Sequence, residues 1–115
     1  MDIIEATLTI PSGQSTSDSI QLSRNYVVGL ILPETLDGSV VTILGSSDNE
    51  TFRDVYESTG IEVEIKSTLG KLLVIEPIYS VAYAYVKFRA GTGESPVVQD
   101  TAQEIKVIIG TGTLS

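Results

Sequence analysis

The 115-residue chain contains no cysteine, no histidine and no tryptophan. Without cysteine, the chain has no disulfide and no thiolate that could bind a metal or act as a nucleophile. Without histidine, it lacks the usual general base near neutral pH and the commonest ligand of transition metals. These absences argue against an enzyme and against a zinc site, and they favour a role in binding or assembly.

Positive charge is also scarce. Seven lysine and arginine residues stand against 15 aspartate and glutamate residues, which gives a net charge of -8. A chain of this charge is repelled by phosphate backbones, so we expect no nucleic-acid partner. No apolar run approaches the roughly 20 residues that a membrane helix needs. The N-terminal segment carries two acids where a signal peptide has bases, so we expect synthesis in a cytoplasm and no membrane association.

Branched side chains are abundant instead. The chain has 13 isoleucines, 12 valines and 12 threonines against only five alanines. Such side chains suit a pleated sheet and are restricted in a helix. Short apolar or alternating segments are separated by turn residues about every ten positions. The sequence therefore predicts a single domain over residues 1–115, an antiparallel β-sandwich of eight or nine strands with jelly-roll or Greek-key connections.

Three segments give the most specific strand predictions. The nearly continuous apolar run from Tyr26 to Leu32 indicates a strand that is covered on both faces or bulged at Gly29. The segment Lys71 to Glu76 indicates a second buried strand. Between them, strict alternation predicts that one set of side chains faces the core and the other faces water. The core set is Ile61, Val63 and Ile65, and the solvated set is Glu62, Glu64 and Lys66.

The segment Val81 to Ala90 indicates a strand with one apolar face. Its opposite face carries Tyr83, Tyr85, Lys87 and Arg89. Tyrosine and arginine are enriched at the centres of protein interfaces, so this face is one candidate for an exposed binding strip. The other interpretation is a sheet face half covered by a loop, with the tyrosine hydroxyls reaching water. We predict these four residues as the interface.

Two acidic groups deserve a chemical interpretation. The turn Asp48-Asn49-Glu50, with Asp54 and Glu57 nearby, offers oxygen ligands for calcium, but its spacing is not that of a calcium loop and its residues also favour tight turns. Glu62 and Glu64 lie on one strand face, as a glycosidase pair would, yet that face is an ordinary solvated one. We therefore expect no catalytic residue, no metal ion and no cofactor.

Two stretches of sequence carry a resemblance. The stretch from Ile43 to Tyr56 contains a strand, an Asp-Asn turn and an aromatic-led strand, and it looks like a hairpin of many β-sandwich modules, including discoidin-type binding domains. The stretch Val86-Lys87-Phe88-Arg89-Ala90-Gly91-Thr92 is followed by Ser95-Pro96-Val97 and a last strand. This order, over roughly residues 15–110, is similar to that of small virion proteins of tailed bacteriophages.

The resemblance implies a capsid decoration (cement) protein that binds and stabilises the head shell. Its partner would be the major capsid protein or another virion protein, and the chain would be a homo-oligomer, often a trimer, located in the virion. A glycan-binding module on a virion surface and a tail or neck adaptor are the alternatives. The segment Met1 to Ile10 is either the first strand of the sandwich or a strand that pairs with a neighbouring chain.

Overall fold

The computed structural model describes residues 2–112, which form two antiparallel β-sheets packed face to face. The strands are β1 (Asp2–Ile10), β2 (Ile20–Gln21), β3 (Tyr26–Ile31), β4 (Val40–Ser46), β5 (Arg53–Asp54), β6 (Glu64–Lys66), β7 (Leu72–Val74), β8 (Tyr85–Ala90) and β9 (Gln103–Thr111), with a 3-10 helix at Pro77–Ser80. The all-β sandwich prediction is confirmed. Within these residues no helix is long and apolar enough to span a bilayer.

The strands pair in a nested order. The first sheet has the order β1-β9-β3-β7, and the second has the order β2-β8-β4-β5, with β6 also paired to β4. Thus β1 pairs with β9, β2 with β8, β3 with β7, and β4 with β5 and β6. A long hairpin rolled into two sheets produces this nesting, which is the jelly-roll arrangement.

The core lies between the two sheets and consists of branched and aromatic side chains. Phe88 is the largest side chain that is fully buried, and Leu30, Val41 and Ile105 are also inaccessible to solvent. Strand β3 lies between β9 and β7, and its register with β9 shifts between Val27 and Gly29. The prediction of a bulge at Gly29 is therefore confirmed.

The prediction for residues 61–66 is right for two core positions and wrong for the third. Val63 and Ile65 are buried, with 4% and 9% of their surface exposed, whereas Ile61 is 63% exposed. The strand begins only at Glu64. Before it, the chain makes a tight turn in which the Glu57 amide donates to the Ile61 carbonyl, so the alternation stops before Ile61 reaches the core. Glu62 was predicted to be solvated, but its side chain is only 9% exposed.

The predicted buried strand from Lys71 to Glu76 is an edge strand. Only Leu72–Val74 is extended, and it pairs with β3 alone. Ile75 is buried, but Leu72 and Val74 are 61% and 84% exposed because they lie on the outer face of the first sheet, where none of the described residues forms a further layer. A short apolar run does not reveal whether a strand is central or at an edge.

Candidate binding surface

Two grooves lie side by side where the second sheet meets the edge of the first. The first groove has a volume of about 810 Å³ and runs between the end of β4, the segment that follows β5, and the 3-10 helix. The second has a volume of about 500 Å³ and runs between β6 and β7. Glu57 and Tyr79 line both. We call these two grooves together the double groove.

A hydrogen bond separates the two halves of the double groove. The Tyr79 hydroxyl donates to Glu57 Oε1 over 3.0 Å. The hydrogen bond to Glu57, together with the negative charge of that carboxylate, raises the pKa of Tyr79 above 10.0. The phenol therefore keeps the proton that it donates to Glu57 throughout the neutral pH range.

Exposed apolar side chains concentrate at the double groove. Among residues 2–112, nine large apolar side chains are more than half exposed: Ile3, Ile4, Tyr56, Ile61, Leu72, Val74, Ile78, Val81 and Val98. Four of these nine line the double groove, namely Tyr56 and Ile78 in the first half and Ile61 and Val74 in the second. Clustered apolar surface of this kind marks contact sites for other molecules, whereas isolated exposed side chains do not.

The double groove is acidic as well as apolar. The second half is lined by Glu57, Glu62, Glu64 and Glu76, and its lining includes no lysine or arginine. In the first half Arg53 is the only basic residue of the lining. Of these four carboxylates, only Glu62 has a basic partner among residues 2–112. An occupant of the second half would therefore combine apolar side chains with positive charge, because the other carboxylates repel an acidic partner.

Arg89 holds the wall of the double groove in place. The side chain leaves β8 on the outer face of the second sheet but is only 9% exposed. Its Nε donates to Thr42 Oγ1 over 3.0 Å, Nη1 donates to Asp54 over 2.9 Å, and Nη2 donates to Glu62 over 2.7 Å. The Gly93 amide also donates to Glu62. These contacts fix the segment from Asp54 to Glu62, which lines both halves, against strands β4 and β8.

Two of the other predicted interface residues, Lys87 and Tyr83, are also engaged within the chain. The Lys87 ammonium lies 4.4 Å from the centre of the Phe52 ring, and Tyr85 is half-buried at the start of β8. Tyr83 precedes the strand, so it does not continue the alternation. Its ring packs against the core beside Gly45, where a Cβ atom would lie 2.5 Å from Cδ2 of Tyr83. The four residues therefore do not form one open strip, and their role in an interface stays a prediction.

Burial and hydrogen bonding explain the position of Tyr83. Its hydroxyl donates to the Tyr79 carbonyl over 2.5 Å, and burial raises the pKa of this phenol. Tyr83 thus supports the 3-10 helix that carries Ile78 and Tyr79. The ring also lines the first half of the double groove.

The Asp48 carboxylate stabilises its own turn. Oδ1 accepts hydrogen bonds from the amides of Glu50 and Thr51 and from the Ser46 hydroxyl, and Asn49 adopts a left-handed conformation with φ of 62°. The amides of Glu50 and Thr51, followed by the Ser46 hydroxyl, lower the pKa of Asp48 from 3.8 to about 2. Within residues 2–112 no group of three or more acidic, histidine or cysteine side chains is arranged to hold a metal ion.

The sequence did not predict the double groove. Its exposed apolar residues lie in segments that read as core strands or connections, and the strand predictions placed Ile61 inside. The one available signal was Tyr56 next to Glu57, an aromatic residue among charged ones, which is unusual for a buried strand. Comparison with known proteins finds no matching family model, no matching protein sequence and no matching solved structure.

Proposed function

We propose that this chain is a structural protein of a tailed-phage virion, a capsid decoration protein that binds and stabilises the head shell. The sequence resemblance suggests the setting, and the rigid jelly roll suits a protein that acts by fitting a surface. The observation that carries the proposal is the double groove, where four exposed apolar side chains and a row of carboxylates form one face. A shell protein is the partner in this proposal.

The edge of β7 suggests how such a partner binds. The Ile75 amide donates to the Val28 carbonyl, so the main-chain groups of Ile75 and Leu73 point towards β3. Those of Leu72 and Val74 then point away from the sheet, because successive residues of a strand alternate. An extended segment of a shell protein adds to this edge, its apolar side chains contact Ile61 and Val74, and its lysine or arginine residues face Glu64 and Glu76.

A binding assay with shells tests this proposal. Purified heads are incubated with the wild-type chain or with the double variant Ile61→Ser, Val74→Ser. These two side chains are the ones that the added segment contacts, and both are exposed, so the fold should stay intact. We expect the double variant to bind at least about tenfold more weakly, since interface anchors typically contribute more than 1 kcal/mol each. Val98→Ser, at a position outside the groove that is also more than half exposed, is the control and should bind normally.

Mass spectrometry of virions supplies a second test. Virions from the source of this chain should contain it in a fixed ratio to the major capsid protein. A copy number close to the number of equivalent symmetry sites on the shell supports decoration. A few copies per particle indicate a tail or neck adaptor. Complete absence from virions would overturn the proposal.

The first half of the double groove favours a second candidate, a glycan-binding module. The Tyr56 ring is 52% exposed there and lies near Arg53, Ser47 and Ser58, which offer hydrogen bonds to sugar hydroxyls. Sites for small polar ligands combine an aromatic surface with a few such groups. A glycan array probed with the wild-type chain and with Tyr56→Ala tests this function. Binding that is lost in the variant supports it, and an array without any bound glycan removes it.

A further inference from the structure

Strand β1 leaves one edge of the first sheet open. Among residues 2–112, its only paired neighbour is β9. The Thr9 amide donates to Asp18 Oδ1 over 2.8 Å and the Thr9 carbonyl accepts from the Asp18 amide, so the main-chain groups of Thr9 point away from β9. Since main-chain direction alternates along a strand, the amides and carbonyls of Ile3, Glu5 and Thr7 also point outwards. Along this edge, the hydrogen-bond partner that the structure describes is Asp18, which bonds to Thr9.

The apolar face of β1 extends beyond the cover of the second sheet. Ile4 lies opposite Ile109 on the core face, yet it is 51% exposed, whereas Leu8 further along the same face is 3% exposed. The neighbouring edge strand of the second sheet, β2, is only two residues long. A long edge strand with an exposed apolar side chain is a template for pairing with another chain.

We infer that β1 pairs antiparallel with β1 of a second copy of this chain, about a two-fold axis at Ile4. Ile3 then lies opposite the second copy's Glu5, and the two Ile4 side chains pack against each other. The two first sheets join into one continuous sheet of eight strands, since each has four. The inference stands apart from the proposed function, because it concerns a different edge and needs no shell protein.

Charge selects this register over its neighbours. In the inferred register Glu5 faces an isoleucine, and its carboxylate already has a countercharge in Lys106, whose Nζ lies 3.2 Å from Oε1. Sliding one strand by two residues in one direction places Glu5 opposite Glu5, and like charges directly opposite destabilise a sheet. Sliding it in the other direction shortens the paired segment. A larger slide would bring Thr9 into the pairing, although its main-chain groups are already bonded to Asp18. The register centred on Ile4 therefore avoids opposed like charges and leaves the contacts of Asp18 in place.

The geometry also favours a second copy over an open chain of copies. A two-fold contact uses the same edge of both molecules and closes. Head-to-tail addition would have to join β1 to β7, which is only three residues long. The result is a dimer, in contrast to the trimer that the resemblance implies.

A single cysteine tests the axis directly, because the chain has none of its own. In the variant Ile4→Cys, the two Cβ atoms across the axis would lie about 4.5–5.5 Å apart, close to the separation that a disulfide accepts. Mild oxidation of the full-length protein should give a covalent dimer in high yield. Val98→Cys, which is similarly exposed and lies elsewhere, should stay monomeric on a denaturing gel.

A proline tests the edge itself. The Glu5 amide points away from β9, so Glu5→Pro preserves the β1–β9 ladder but removes a donor and adds bulk at the open edge. Native mass spectrometry should show a dimer for the wild type and for Glu5→Ala, and a monomer for Glu5→Pro with an unchanged circular dichroism spectrum. If Glu5→Pro unfolds, the Ile4→Cys cross-link decides. A monomeric or trimeric wild type, or a dimer without the Ile4 cross-link, would overturn the inference.

Discussion

For Arg89, the sequence predicts the correct face of the sheet but not the side chains that surround it. Alternation places its side chain on the outer face of the second sheet, and the structure agrees. The sequence does not show that Asp54 and Glu62 lie over this side chain. Both residues are distant from Arg89 in sequence, and the contact depends on how the turn between them ends. The residue therefore cross-links the fold and holds the wall of the double groove in place.

Removing Arg89 should destabilise the protein strongly. Arg89→Met leaves the Glu62 carboxylate buried without its countercharge, which costs about 3–5 kcal/mol. Lys106→Met breaks an ion pair whose side chains are 51% and 50% exposed, and such pairs contribute less than about 1 kcal/mol. Urea denaturation of both variants measures the difference. Equal losses of stability in the two variants would contradict the structural role of Arg89.

Asp48 should make stability depend on pH in the acid range. Its folded pKa of about 2 lies below the ordinary value of 3.8, so the ionised carboxylate stabilises the folded state fully above about pH 4. This contribution is lost as the pH falls from about 4 towards 2. The stability difference between wild type and Asp48→Asn should therefore shrink over that range, as measured by thermal melts. Ser47→Ala, next to it in the chain, is the control and should not change the pH profile.

At the scale of elements, the sequence predicts that a strand exists better than it predicts where the strand ends or whether it lies at the edge of a sheet. The alternation around Val63 and the apolar run around Val27 correspond to real strands, because the periodicity reflects faces of a sheet. The exposure of Ile61 and Val74 depends on tertiary context, namely a turn closed by Glu57 and the position of β7 at the sheet's edge. The double groove is built from these ends and edges, so local pattern alone did not reveal it.

Two substitutions in the segment that leads into β6 test this interpretation. Val63→Asp buries an unpaired charge at a position that is 4% exposed and should cost several kcal/mol. Ile61→Asp makes the same kind of change at a position that is 63% exposed and should shift stability by no more than about 0.5 kcal/mol. Thermal melts of the two variants give the comparison. A large loss for Ile61→Asp would mean that Ile61 packs into the core.

At the scale of the whole molecule, the nested pairing gives different strand pairs very different entropy costs of loop closure. Val41 pairs with Ile65 across a short stretch of chain, whereas Leu8 pairs with Ile105 across roughly four times that length. Closing the longer loop costs about 1 kcal/mol more. We therefore expect the β4–β6 pairing to form early in folding and the β1–β9 pairing to form late.

Kinetic measurements on two truncations test this order. Ile65→Ala should slow folding, because its contacts form before the transition state is passed. Leu8→Ala should mainly accelerate unfolding, because its contacts form afterwards. Both side chains are buried, so each truncation should cost about 2–5 kcal/mol and give a reliable ratio of kinetic to equilibrium effects. Similar ratios for the two variants would contradict sequential pairing.

The hydrogen bond between Tyr79 and Glu57 lies where the two halves of the double groove meet, so we expect it to affect which segments can occupy both halves at once. A segment short enough for one half leaves this bond intact, whereas a longer one must break it to pass across. Tyr79→Phe removes that barrier, so it should improve the affinity of long segments and leave short ones unaffected.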